Sequence, residues 1–364
     1  MNKAKAAILT EANKPFEIRE YELTAPPAGF AKTELIASGI CGTDIHIHSG
    51  RLGSTPNRII GHEFVGKISE IAEADSEKYG LKAGDNVIVD IAVPCGECEL
   101  CKNGDDANCV NMQITSGFDP DIAPHFYGGY AEFNYTQAQN LVKIPESVNP
   151  KAAAVFACPG PTAIHAFSLS KKAGYDVKNA KTAVVQGAGP VGTFAIAYLA
   201  SLNIKNVVVI TSSRDEAKEK LVMSMGATEM LYLSDGVENI EKRIAELTDS
   251  LGADLVFEAS GNPNAIPVGM NILRNRGVYL IPGQYSDSGA VPIHPEIITF
   301  KALHIIGSSQ YSMCDVRDYV DFLSDKPELQ EKIFALATCY KVEDINKAIE
   351  DIHARKNIKT LLVK

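Results

Sequence analysis

From about Ala183 the chain repeats one pattern, an apolar strand run followed by a helical stretch, and its first turn reads Gly187-Ala188-Gly189-Pro190-Val191-Gly192. No other feature limits the fold as much. The runs AVVQG, NVVVIT, ADLVFEAS and GVYLIPG, separated by helical segments, argue for a parallel sheet with helices on both faces. Between these strands Ile240, Ile244, Leu247 and Leu251 recur at helical spacing and predict a helix with one buried stripe. In the turn, the glycines permit a tight bend, close approach of the backbone to a pyrophosphate and packing of helix against strand. The helix N-terminus then faces the phosphates. Gly187, Gly189, Pro190, Val191 and Gly192 are therefore the expected dinucleotide contacts.

A fingerprint for NAD places Asp or Glu about twenty residues further on, where it accepts hydrogen bonds from the ribose hydroxyls. Here the strand NVVVI runs instead into Thr211, Ser212, Ser213 and Arg214. Hydroxyls and a guanidinium suit a 2'-phosphate, so NADP is favoured over NAD. The same residues also read as a helix start, in which Ser213 and Glu216 form a capping box and Arg214 is solvated.

Before this region, from Met1 to about Glu146, short alternating segments such as Thr33 to Ile40 and Asn86 to Ala92 are separated by Gly, Pro and Asp turns. That is the signature of an all-β domain. One of its loops, CGECELCKNGDDANC, carries Cys95, Cys98, Cys101 and Cys109. Four thiolates at this spacing can close around one structural zinc and leave no position open for chemistry. Disulfides or an iron–sulfur cluster are the alternatives, although cysteines three apart strain to pair with one another. After about Pro292 the strand-helix alternation loosens. Ile345, Ala348, Ile349 and Ile352 still mark an amphipathic helix before the closing KTLLVK, and this segment could complete either domain.

A length of 364 residues suits about two domains, and the natural ligand site is a cleft between them. A net charge of -10 with no basic tract argues against nucleic acid or an anionic membrane as partner. The N-terminus shows neither a signal peptide nor a lipidation site, so a cytoplasmic protein is expected. In the uncharged stretch from Thr182 to Ile204, glycines and Pro190 favour strand, turn and helix over a membrane span.

The segments CGTDIH and GHEFVG add Cys41, Thr43, Asp44, His46, His62 and Glu63, which spacing alone does not make a site. Taken with AGDNV, the four-cysteine loop, GGYAEF, FACPGPTAIHA, GAGPVG and KTLLVK, they run the length of the chain in one order. In that order the chain resembles the zinc-dependent alcohol dehydrogenase branch of the medium-chain dehydrogenase/reductase superfamily. The resemblance implies a GroES-like β domain (1–155), a Rossmann domain (156–294) and a C-terminal return segment (295–364) that completes the first.

It implies further that Cys41, His62 and Cys158 hold a catalytic zinc, with Glu63 as an adjacent carboxylate able to approach the metal. Thr43 would begin a proton relay and His46 would be its outer member, while Asp44 is expected to be structural and His125 a solvated loop residue. The implied reaction is reversible hydride transfer between a small-molecule alcohol or carbonyl and a nicotinamide cofactor, in a homodimer or homotetramer. The alternatives are a zinc-free reductase of activated double bonds and a non-catalytic cofactor-binding protein.

Overall fold

The computed structural model describes residues 2–53, 56–284 and 286–364. Two units are distinguished, Met1–Pro161 with Tyr311–Lys364, and Thr162–Gln310. Among the described residues no helix is long and apolar enough to cross a membrane.

In the Thr162–Gln310 unit, strands form one sheet in the order Glu229–Tyr232, Asn206–Thr211, Thr182–Gln186, Ala253–Glu258, Leu273–Ile281, His304–Gly307. Every neighbouring pair is parallel. This is the doubly wound order, in which the chain's direction across the sheet reverses beside the first strand. The switch point therefore lies between Thr182–Gln186 and Ala253–Glu258. Val184, Val208, Ile210 and Val256 from these strands pack with Ile240 and Ile244 of the helix Val237–Leu247. The predicted stripe stops short of Leu251, which is 72% exposed. Asp249 and Ser250 adopt positive φ just after the helix and turn the chain before a further helical turn can form.

The other unit is built on a mixed sheet ordered Ala337–Lys341, Lys359–Val363, Phe30–Ile40, Glu63–Ile71, Asn86–Val89, Leu141–Lys143, with Phe133–Gln137 added to Phe30–Ile40. Phe30–Ile40 pairs antiparallel with Glu63–Ile71 and with Lys359–Val363, so the chain's last strand lies beside one of its earliest. Ile345, Ala348 and Ile349 of the helix Ile345–His353 share a core with Ala31, Leu35, Phe64 and Ile68. The return to this unit begins at Tyr311 and not at 295. Its physical reason is the strand His304–Gly307, which hydrogen-bonds to Leu273–Ile281 as the edge of the parallel sheet. At the front, the helix Pro150–Val155 packs on Phe30–Ile40 and Glu63–Ile71, which carries this unit past 155 to Pro161.

Candidate active site

Strand register assembles the first constellation. Gly39 stands opposite Glu63, so the end of one strand and the start of its partner bring Cys41 to His62. Cys158 arrives from the turn between the helices Pro150–Val155 and Pro159–Lys172. One ligand atom each of Cys41, His62, Glu63 and Cys158 all lie within 4.8 Å of one another. Cys41 caps the helix Gly42–His48, and its backbone N–H donates to Asp44 Oδ2 at 2.9 Å. Asp44 Oδ1 lies 3.1 Å from His62 Nδ1. With Nδ1 so occupied, Nε2 is the nitrogen left for a metal.

The cluster's electrostatics suit a cation. Its hydrogen bond with Cys158 pushes the Cys41 thiol well down, burial works the other way, and His62 adds to the lowering. The shared proton and burial push Cys158 well up. Burial opposes a charged His62, yet Asp44 and the thiols outweigh it and hold the imidazole well above its ordinary range. The protons on Cys158 and His62 are those a bound metal would displace. Two thiols and an imidazole are the donor set of a zinc site that keeps a fourth position for substrate.

Glu63 is held differently. Its Oε2 is ion-paired with Lys359 of the C-terminal strand, and both side chains are buried. Oε1 is buried and has no hydrogen-bond partner among the described residues. A Cβ at Gly39 would overlap Oε2, so only glycine admits the pair there. Burial first, and Cys41 after it, push the Glu63 carboxyl up to about 7 against the pull of Lys359.

The second constellation closes on itself. Cys98 Sγ lies 3.4 Å from Cys101 Sγ and 3.9 Å from Cys109 Sγ, and Cys95 Sγ lies 4.0 Å from Cys101 Sγ. A tetrahedron with Zn–S of about 2.3 Å has sulfurs about 3.8 Å apart, so the spacing fits one ion. It is too long for disulfides, and all eight cysteines of the chain are free thiols. Backbone N–H groups of Glu97 and Cys98 bring the Cys95 thiol down to about 6 and prepare a thiolate before any metal arrives.

At the switch point, Gly187 has φ +97 and a Cβ there would lie 2.8 Å from Ser260 Cα, so glycine is required on both counts. A Cβ on Gly192 would run into the Gly187 carbonyl, whereas Gly189 faces open space. Pro190 opens the helix Pro190–Ser201, with Val191 in its first turn. Thr211 ends its strand, and Ser212, Ser213 and Arg214 are exposed beyond it. The capping box at Ser213 does not form. Asp215 is the cap and accepts from the Lys218 N–H at 3.1 Å, because a carboxylate one residue before Glu216 sits at the position the first turn requires. Arg214 is exposed, as the solvated reading has it, and its guanidinium also lies 4.6 Å over the Tyr232 ring and 2.7 Å from Asp235.

Comparison with known proteins matches residues 30–146 to the alcohol dehydrogenase GroES-like domain and residues 190–325 to the zinc-binding dehydrogenase family. A 5-exo-hydroxycamphor dehydrogenase of Pseudomonas putida is 30% identical, over 100% of this chain and 99% of its own length. The chain belongs to the zinc-dependent medium-chain dehydrogenases. A sorbitol dehydrogenase of Halalkalibacterium halodurans is 27% identical, with 95% of each chain covered. Among solved structures, an alcohol dehydrogenase from Thermotoga maritima superposes with a TM-score of 0.89 at 29% identity over 100% of both chains. This dehydrogenase is thus an oxidoreductase that transfers hydride between an alcohol and a nicotinamide cofactor.

Within the dehydrogenase, Thr43 Oγ1 lies 3.8 Å from Cys41 Sγ, and His46 follows one turn later on the same helix face. His125 is not a solvated loop residue. It stacks on Tyr21 with ring centroids 4.8 Å apart, and its Nδ1 lies 2.8 Å from the Pro120 carbonyl. Two residues at this cluster have partners that no motif discloses, although Asp44 itself is expected to be structural. Asp44 orients His62, a role whose only local signal is an acid three residues after a helix-capping cysteine. Lys359 gives no local signal at all beyond a lysine in an apolar terminal strand.

Proposed function

We propose that this dehydrogenase holds a catalytic zinc on Cys41, His62 and Cys158, a structural zinc on Cys95, Cys98, Cys101 and Cys109, and NADP in preference to NAD. The observation that carries the reading is the convergence of Cys41, His62 and Cys158 beside a hydroxyl, that of Thr43. Zinc held there would supply a Lewis acid that lowers the pKa of an alcohol. The nicotinamide would supply the hydride acceptor. In this reading Thr43 takes the hydroxyl proton of the alcohol and passes it toward His46 and solvent. Asp44 keeps the His62 ring in one orientation, and Lys359 keeps the Glu63 carboxylate beside the ligands.

The substrate we propose is a secondary alcohol or the matching ketone. The relatives' names support this, since 5-exo-hydroxycamphor and the 3-position of L-threonine are secondary carbinols. The enzyme would act in the cytoplasm as a homodimer or homotetramer; the free thiols support a reducing compartment.

For the cofactor, an arginine three residues past the strand Asn206–Thr211, laid on the Tyr232 ring, supports a phosphate contact for which it would exchange its Asp235 partner. A charge-assisted bond of this kind contributes about 1.5–3 kcal/mol. In a screen of secondary and primary alcohols with both cofactors, the wild type should turn over secondary alcohols fastest with NADP. Arg214→Ala should lower the NADP-to-NAD ratio of kcat/KM roughly tenfold or more. A wild type that prefers NAD, or a ratio unmoved by the substitution, would leave Arg214 a surface residue paired with Asp235.

A further inference from the structure

Glu258 ends the strand Ala253–Glu258, on the second wall of the switch point, and its side chain is fully buried. Three donors converge on its Oε1: the Ser260 N–H at 2.7 Å, the Ser260 hydroxyl at 2.6 Å and the Gly261 N–H at 3.0 Å. Ser260 Oγ in turn accepts from the Asn262 N–H at 3.2 Å. The loop that leaves the strand is therefore wound around one carboxylate oxygen. The other oxygen, Oε2, is buried with no hydrogen-bond partner among the described residues, and no cation is paired with this carboxylate among them. A buried carboxylate without a counter-charge costs stability. For a strand end that needs only a turn, a neutral side chain would be cheaper.

The loop is also what the phosphate-binding turn leans on. Gly187 is in contact with Ala259 and Ser260, such that any side chain at 187 would collide with their backbone. The Ala259 N–H donates to the Gln186 carbonyl at 2.8 Å, and the Gly283 N–H to the Glu258 carbonyl at 3.0 Å. Oε2 closes on Gly283, where a Cβ would come within 2.5 Å of it. The carboxylate thus holds the loop at Ser260 and Gly261, that loop packs on Gly187, and the free oxygen lies against Gly283. In a doubly wound sheet these are the walls of the ligand crevice.

We infer that Glu258 is a positioning residue for the nicotinamide cofactor, holding the Ala259–Gly261 loop in the shape that the Gly187 turn and the crevice require. The inference rests on reading this crevice as the cofactor site. Preorganised loops lower the ordering cost of binding, so loss of the carboxylate should appear in cofactor affinity before it appears in chemistry.

The test is calorimetric titration of NADP and NAD onto the wild type, Glu258→Ala, Glu258→Gln and Ser260→Ala, with the alcohol KM measured at saturating cofactor. Glu258→Ala should weaken cofactor binding about tenfold or more while changing the alcohol KM less than about threefold. Glu258→Gln keeps one oxygen for the donors and should recover most of the lost affinity. Ser260→Ala alters an exposed residue and removes one donor, so it reads the same loop even where Glu258→Ala fails to fold; a loss of about threefold is expected. If the wild type binds neither cofactor, the crevice itself is misassigned. If the wild type binds and both alanine variants, or Ser260→Ala alone where the other is unfolded, stay within twofold of it, Glu258 only ends a strand and the inference is wrong.

Discussion

His62→Ala should lower turnover of alcohols by more than about a thousandfold while leaving nicotinamide cofactor affinity within about threefold of the wild type. The imidazole is the one nitrogen donor in the cluster of Cys41, His62, Glu63 and Cys158. Without it two thiols and a carboxylate already paired with Lys359 remain, a set too poor to hold an ion at the geometry catalysis needs. Cofactor affinity should survive because the glycine turn belongs to the Thr162–Gln310 unit and His62 does not. Steady-state kinetics beside cofactor titration separates the two effects. Near-normal turnover in a correctly folded variant would remove His62 from the site.

The second large effect is on stability. Lys359→Ala should destabilise the protein by about 3–5 kcal/mol at alkaline pH, where Glu63 is left charged without its counter-charge. The loss should be less near neutral pH, where the Glu63 carboxyl, already raised to about 7, takes up a proton. The two side chains are 1% and 0% exposed, so water cannot take the place of the lost ammonium. The double variant Glu63→Gln with Lys359→Met should recover much of the loss, since a pair removed together leaves no stranded charge. Urea denaturation of the single and double variants measures this. A Lys359→Ala protein as stable as the wild type at alkaline pH would mean that Glu63 is solvated and the pair is not closed in solution.

What the sequence shows of this molecule, and what it hides, divides by the range of the interaction. The glycine turn is legible because two of its requirements are local: Gly187 needs its positive φ and Gly192 its contact with Gly187, and both lie within one strand-turn-helix. The cysteine loop is legible for the same reason, with all four sulfurs supplied by one short segment. Lys359 is hidden because it meets Glu63 across 296 residues, through strand pairing that no local pattern encodes. Asp44 lies between these cases. As an acid at the third position after Cys41 it has a cap signature, but the partner that gives it purpose, His62, stands just before the next strand. The two local misreadings have local causes. Positive φ at Asp249 and Ser250 ends a helix that the apolar spacing would have carried to Leu251, and Asp215 takes the cap from Ser213 because it stands nearer the first helical residue.

In the proposed reading two separate constellations each hold one zinc, one for chemistry and one for the loop. Zinc content per chain, measured by elemental analysis in the wild type, His62→Ala and Cys98→Ser, decides this. Two zincs are expected in the wild type and one in each variant, with His62→Ala inactive but stable and Cys98→Ser losing thermal stability along with its metal. A wild type that carries a single zinc, or a His62→Ala protein that still carries two, would contradict that reading.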